Sequence, residues 1–171
     1  MRDDGDFTAY AEARWPALVR TAVWLGAPTV LAADLAEGAL ARCRLDWRAI
    51  RDAEDIDVEV YAELLEERAR VLAETGPSAA AETRSEASPV APRPAAPDGD
   101  RSDAALLLEA LLDALDRLDP AHRGAVVLRH GAGLSTDQVA AVLEVDPSEV
   151  ERRLTWARTV LDPERLVQRC R

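Results

Sequence analysis

Polar side chains able to hydrogen-bond DNA recur between residues 148 and 158. An apolar face at helical spacing is formed by Val150, Leu154, Ala157 and Leu161. The remaining faces of the same helix are left to Ser148, Glu149, Glu151, Arg152, Thr155, Trp156 and Arg158. Guanidinium and hydroxyl groups donate hydrogen bonds to base edges and to phosphates. The pattern is therefore typical of a helix that enters a DNA major groove.

The element that must position this helix is a tight corner between two helix starts. Each helix start has a capping residue followed three positions later by an acid or amide. The two pairs are Ser135 with Gln138, and Asp146 with Glu149. Pro147 suits a first helical position, where no N–H is needed. Two short helices joined by so few residues must cross steeply, which predicts a helix-turn-helix whose second helix is 146–161. A plain αα-corner in any helical protein would give the same pattern and remains the alternative.

The composition favours an all-α protein that depends on partners for DNA binding. Hydrophobic residues make up 48% of the 171 residues, but aromatic residues only 4%, so the core is mostly Ala, Leu and Val. The formal net charge of -11 argues against a protein that coats nucleic acid, because phosphate attraction supplies that affinity. A DNA-binding function therefore needs a local basic patch or a partner that brings the chain to its DNA.

Several classes of function lack the residues they need. Two cysteines, Cys43 and Cys170, and two histidines, His122 and His130, cannot assemble a zinc set, so we expect no metal and no cofactor. The carboxylates are scattered without a paired His, a reactive Cys or a Gly-rich phosphate loop, so we expect no enzyme. With no signal peptide or long apolar span, we expect a soluble cytoplasmic protein that has no membrane partner.

Composition divides the chain into two small helical domains joined by a flexible Pro/Ala-rich linker. We predict a first domain at 1–75, a linker at 76–101, and a second domain at 102–171 that contains the helix-turn-helix. The linker is rich in Pro, Ala, Ser, Glu and Asp and has almost no large apolar residue, which favours an extended or disordered chain. A Pro-rich ligand for a partner domain is the alternative.

Three amphipathic helices are predicted in the first domain. Apolar residues recur at helical intervals in 7–25, 29–45 and 58–74. The polar residues 1–6 are predicted to be frayed. Pro16 lies inside the first helix, so a kink or two shorter helices are expected there.

The order of these segments resembles the extracytoplasmic-function group of bacterial RNA polymerase sigma factors. In the second domain, the run 115–130 is similar to a conserved stretch of that family, and 134–158 is similar to its fourth conserved region. In the first domain, 33–42 resembles the helix by which the family grips the clamp of the polymerase β′ subunit. Trp47 stands where a Trp closes that helix, and 7–25 also fits the family.

The resemblance implies a non-enzymatic specificity subunit. Its first domain would bind core RNA polymerase and open the downstream promoter hexamer, and its second domain would bind the upstream hexamer in promoter DNA. An anti-sigma factor would be a further partner. By position, the polymerase contacts would be Asp34, Leu35, Glu37 and Leu40. By position, the residues facing DNA would be Ser148, Arg152, Arg153 and Arg158.

The third helix of the first domain departs from the family pattern. The family carries basic and Asn residues there, with aromatic stacking for single-stranded DNA. In this chain the helix is dominated by acids, and Tyr61 is its only aromatic residue. Gly38 also replaces an acid or amide of the family. A second hypothesis therefore stays open: a degenerate sigma-like protein that regulates by binding polymerase or an anti-sigma factor without opening promoters.

Overall fold

The computed structural model describes the backbone of residues 2–86 and 103–161, and the side chains of residues 5–74, 108 and 110–161. The helices of the first unit are α1 (Arg2–Trp24), α2 (Thr29–Leu45), α3 (Trp47–Arg51) and α4 (Ile56–Glu86). The second unit contains α5 (Asp103–Leu115), α6 (Pro120–Val126), a one-turn π-helix (Val127–Gly131), α7 (Thr136–Val142) and α8 (Pro147–Val160). No strand occurs within the described ranges, and the all-α prediction with two helical units is confirmed.

In the first unit, α2 packs against both α1 and α4. Small residues on the inner face of α2 let these helices approach closely, and the core formed there includes Leu18, Ala22, Ala32, Leu35, Ala36, Ala39, Cys43, Val60 and Leu64. The first helix is a single element that starts at Arg2, so the prediction of a frayed stretch at 1–6 was wrong for residues 2–6. Pro16 is exposed and lies within this uninterrupted helix.

The last helix of the first unit is longer than the apolar pattern predicted. It continues to Glu86 and so includes residues 76–86 of the predicted linker. Ala79, Ala80, Ala81 and Glu82 are strong helix formers, and they extend a helix whose apolar face has already ended. Residues 87–101, the rest of the predicted linker, lie outside the described residues.

Gly38 makes room for a side chain of the neighbouring helix. A Cβ atom at this position would lie 2.7 Å from Cδ and Oε1 of Glu67. Glu67 is buried at 9% exposure, and its carboxylate pairs with Arg70. The glycine therefore allows α4 to bring a charged side chain against the backbone of α2.

The corner between α7 and α8 is built by one of the two predicted capping boxes. The backbone N–H of Gln138 donates to Ser135 Oγ at 3.1 Å, and the N–H of Ser135 donates to Gln138 Oε1 at 2.6 Å. The second predicted box was wrong. Asp146 makes no side-chain cap bond, and the backbone N–H of Glu149 donates to Asp146 O at 2.9 Å instead. The Glu149 carboxylate, which was expected to accept from the N–H of Asp146, pairs with arginines of its own helix.

A left-handed residue makes the turn itself. Glu144 has φ of 52°, in the region that non-glycine residues rarely occupy. A backbone hydrogen bond just past the end of α7 closes the corner: the N–H of Val145 donates to Ala140 O at 3.0 Å. The predicted helix-turn-helix is thus present, with a strained residue at its bend.

The two units also pack on each other. One cluster of buried side chains runs from Leu18 and Ala22 in α1 to Leu128 and Val139 in the second unit. A second cluster places Leu25 among residues of the second unit. Among the described helices, none is long and apolar enough to cross a membrane.

Candidate nucleic-acid interface

The predicted DNA-binding residues of α8 differ in how far their side chains are exposed. Ser148, Arg152 and Arg158 are exposed. The side chain of Arg152 is 74% exposed, whereas that of Arg153 is only 18% exposed and lies along the helix. The inner face is anchored by Val150, Leu154 and Ala157. The helix therefore leaves three of the four predicted residues exposed and keeps the fourth close to its own surface.

Glu149 organises both neighbouring arginines. Its Oε2 accepts from Arg152 Nε at 2.9 Å and also pairs with Arg152 Nη2, while its Oε1 accepts from Arg153 Nε at 2.8 Å. The hydrogen bonds from Arg153 and Arg152 lower the pKa of Glu149 below its usual value. One carboxylate near the amino end of α8 is therefore shared by two guanidiniums.

An aromatic contact fixes the far part of α8 against α6. The ring of Trp156 lies 4.1 Å from that of His122, centroid to centroid. His122 is held in turn by Asp119, whose Oδ1 accepts from His122 N at 3.2 Å and from Ala121 N at 3.0 Å. These backbone donors, that of His122 first, lower the pKa of Asp119. Trp156 is still 44% exposed, so it both orients α8 and contributes to the same outer surface.

The signal for Trp156 was present in the sequence. It stands off the apolar face of its helix, where a large aromatic side chain has no core to fill. The sequence pattern placed Trp156 on the outer faces of the helix, but it was not predicted to be a functional residue.

The four predicted polymerase contacts on α2 separate into two pairs. Asp34 and Glu37 are exposed. Leu35 and Leu40 are 3% and 6% exposed, since they belong to the core of the first unit, and here they support the helix from the inside. Two large apolar residues that sequence reasoning missed, Val30 and Leu45, are 74% and 83% exposed at the two ends of the same helix. The sequence could have indicated their exposure, because both residues lie off the apolar face of α2.

The acidic helix of the first unit offers no aromatic ring to DNA in this conformation. Tyr61 is 2% exposed, so it is a core residue. Glu59 and Glu66 are exposed, and Glu63 accepts from Arg42 Nε at 3.0 Å. Across the described residues, no group of His, Cys, Asp and Glu could hold a metal ion.

Comparison with known proteins agrees with this architecture. Residues 108–161 match the family described as Sigma-70, region 4. The RNA polymerase sigma-E factor of Streptomyces coelicolor is 32% identical over 149 residues, which are 87% of this chain and 80% of that protein.

Two solved structures share the fold. The structure of CnrH in complex with the cytosolic domain of CnrY has a TM-score of 0.62 and 21% identity, over 91% of this chain and 84% of that chain. The structure of the sigma factor RpoE in complex with the anti-sigma factor NepR from Bartonella quintana has a TM-score of 0.70 and 21% identity, over 95% of this chain and 97% of that chain. Because this chain is similar to the sigma-E factor along most of its length, it belongs to the extracytoplasmic-function group of bacterial RNA polymerase sigma factors. These factors direct polymerase to promoters for transcription initiation.

Proposed function

We propose that α8 binds the upstream promoter element in the major groove and that the outer face of α2 binds the clamp of core RNA polymerase. The observation that carries the first part is the exposed row on α8, formed by Ser148, Arg152 and Arg158. α7 and the contact between Trp156 and His122 hold this row outward. In this proposal residues 1–75 bind polymerase and open the promoter, residues 76–101 connect the units, and residues 102–171 bind DNA.

Within the DNA-binding row, Arg152 is the residue best suited to read a base. Its guanidinium is exposed and can pair bidentately with a guanine edge once it leaves Glu149. Ser148 and Arg158 are suited to phosphates on either side. Arg153 acts mainly by positioning, because its half-buried side chain holds Glu149 in place.

The polymerase contact on α2 combines charge with exposed apolar surface. Asp34 and Glu37 lie between Val30 and Leu45, which are large, exposed and without a role in the core. Such a face suits a partner with basic and apolar side chains. Delivery by polymerase also accounts for the acidity of the chain, because DNA affinity then need not come from the sigma factor alone.

We further propose that the protein acts in the cytoplasm, has no catalytic activity of its own and is regulated by an anti-sigma factor. The last point is supported by the two solved structures of the same fold, each of which contains a second protein: the cytosolic domain of CnrY and NepR.

A pull-down with Streptomyces coelicolor core RNA polymerase tests the polymerase contact. The doubly substituted chain Asp34→Arg, Glu37→Arg should lose most of the co-purifying polymerase while keeping its thermal midpoint. Glu12→Arg, an exposed acid on α1, is the matched control and should bind as the natural chain does. Equal recovery of polymerase by the double variant and the control would reject α2 as the contact.

The second hypothesis, a regulator that binds polymerase without opening promoters, is favoured by a specific observation. Tyr61 is buried and the exposed part of its helix is acidic, so neither stacking nor phosphate attraction is offered there. Permanganate footprinting of promoter DNA bound by the reconstituted holoenzyme separates the two functions. Reactive unpaired thymines would eliminate the second hypothesis, and a fully paired promoter bound by the holoenzyme would favour it.

A further inference from the structure

An acid lies beside an arginine in the first two turns of α8. The helix begins at Pro147, so Glu149 and Arg152 are both near its amino end. In a helix-turn-helix, the amino-terminal residues of the second helix are those that contact base edges. A helix docked in this way brings Glu149, as well as Arg152, to the bases.

The two oxygens of Glu149 have different partners. Oε1 accepts from Nε of Arg153 at 2.8 Å, and the side chain of Arg153 is half-buried along the helix. Oε2 accepts from Nε of Arg152 at 2.9 Å and pairs with its Nη2, but the side chain of Arg152 is exposed. Oε1 is therefore anchored on the protein, whereas Oε2 can exchange its partner.

This anchoring lets a carboxylate remain near DNA. When Arg152 turns toward a base, Glu149 keeps its hydrogen bond with Arg153. Two guanidiniums offset one carboxylate, so the three side chains together stay positive. A negative charge near the amino end of a helix is also favoured by the helix dipole.

The hydrogen-bonding groups of this pair complement those of one base pair. In the major groove guanine offers two acceptors, N7 and O6, and the cytosine opposite it offers a donor, N4. A guanidinium only donates and a carboxylate only accepts. An adenine–thymine pair would place the donor N6 against Arg152 and the acceptor O4 against Glu149, so it would oppose both groups.

The spacing of the two side chains fits the same base pair. Guanine O6 and cytosine N4 hydrogen-bond to each other within the pair, so they lie about 2.9 Å apart. Arg152 Nε and Glu149 Oε2 are also 2.9 Å apart. Nη1 of Arg152 makes no hydrogen bond to any residue that the structure describes, so this end of the guanidinium is available to a base.

We propose that Glu149 determines specificity together with Arg152, and that the two side chains read one guanine–cytosine base pair of the upstream promoter element. Arg152 donates to N7 and O6 of the guanine, and Oε2 of Glu149 accepts from N4 of the cytosine. This inference rests on the proposed DNA-binding role of α8, and it adds the base pair that the helix selects.

Base preference at single positions tests the inference. Holoenzyme reconstituted from the full chain and Streptomyces coelicolor core polymerase would first select duplexes from a pool randomised in the upstream promoter region. Competition binding would then compare duplexes that carry each of the four base pairs at each enriched position. The natural chain should prefer guanine paired with cytosine at the position where Arg152→Ala reduces base preference most.

Glu149→Gln should lower the preference for guanine–cytosine over adenine–thymine at that position by about tenfold. The amide still accepts from cytosine N4, but it can also donate to thymine O4, so it no longer separates the two pairs. The loss should come from tighter binding of the adenine–thymine duplex. A side chain that only stabilised α8 would change affinity for all four duplexes alike.

Glu151→Gln is the matched control. Glu151 is exposed on another side of α8 and has no hydrogen bond or ion pair within the described part of the chain. Its replacement removes the same charge and should leave the base preference unchanged. An equal loss of preference in both variants would overturn the inference, as would an unchanged preference in Glu149→Gln or a natural preference for another base pair.

The proposed DNA-binding role fails in a different way. If the pool yields no enriched sequence and Arg152→Ala keeps the natural DNA affinity, α8 does not read the groove. If a sequence is enriched but no position depends on Arg152 or Glu149, the inference is rejected and the DNA-binding role of the second unit remains.

Discussion

Glu149 accepts a hydrogen bond from Arg152 Nε at 2.9 Å, so the arginine that we propose contacts a base is paired within its own helix. The Arg152 side chain is 74% exposed, and ion pairs made by exposed side chains contribute little to stability. A guanine edge or a phosphate can therefore replace the carboxylate. In the proposed DNA-binding role, Glu149 would compete with DNA for Arg152, and this competition can be measured.

Replacing Glu149 by Gln should raise DNA affinity. The substitution removes a negative charge near the phosphates and weakens the hold on Arg152. We expect a gain of about threefold in anisotropy titrations with a duplex selected from a random pool by the holoenzyme, in line with an exposed pair. Glu151→Gln removes the same charge from the exposed surface and is the control for charge alone. An equal gain in both variants would show that the pairing with arginine does not matter.

Arg152 and Arg153 should respond differently to truncation. Arg152→Ala should weaken binding to the same duplex by about 1–3 kcal/mol, with an unchanged thermal midpoint, because its side chain is exposed. Arg153→Ala should mainly lower the thermal midpoint, because its half-buried stem packs along α8 and its guanidinium holds Glu149. Both variants should keep polymerase binding. The assignment of roles fails if Arg153→Ala is the more damaging change for DNA affinity.

Glu144→Gly should stabilise the helix-turn-helix. Glu144 occupies the left-handed region at φ 52°, and relief of that strain by glycine is worth about 1 kcal/mol. Chemical denaturation should therefore show a higher free energy of unfolding. Gly133→Ala is the converse test at φ 81°, where no heavy atom lies within 4 Å of an added Cβ and only backbone strain operates. It should destabilise the protein, and a stabilising effect would contradict this account of both positions.

Cys43 should be protected from alkylation until the protein unfolds. Its thiol is 0% exposed, and burial raises its pKa to about 12. Because the thiolate is the reactive form, a Cys170→Ser chain should react with iodoacetamide at pH 8 only through unfolding, and its rate should rise with denaturant. Rapid labelling of the folded chain would show that this part of the core opens locally.

The same thiol gives the stability of the protein a defined dependence on pH. A folded-state pKa above that of the unfolded chain means that the contribution is complete below about pH 8.5, the unfolded thiol value. It is then lost as pH rises toward about 12, because the unfolded chain ionises first. Cys43→Ala should lack this part of the decline when denaturation is compared at pH 8 and pH 10.

The helices and the corner were predictable because local interactions decide them. Apolar residues at helical spacing predicted α1, α2 and most of α4, and the pair Ser135 and Gln138 predicted the start of α7. The capping pattern failed at Asp146: the N–H of Glu149 donates to the backbone carbonyl of Asp146, and the Glu149 carboxylate pairs with Arg152 and Arg153. A local signal is reliable only where no competing group of the fold reaches it first.

By itself, the amino-acid sequence determined the all-α class, the helix-turn-helix and the outward position of Arg152, since each follows from periodicity and capping. The family was indicated by a resemblance of its motifs and of their order to known sigma factors. Only the tertiary structure decided that Leu35, Leu40 and Tyr61 are core residues, and that Gly38 accommodates Glu67. It also decided that Asp55 meets Gln138 and that Trp24 covers Gly131. These relationships join residues far apart in the chain, and packing and desolvation, rather than local propensity, select them.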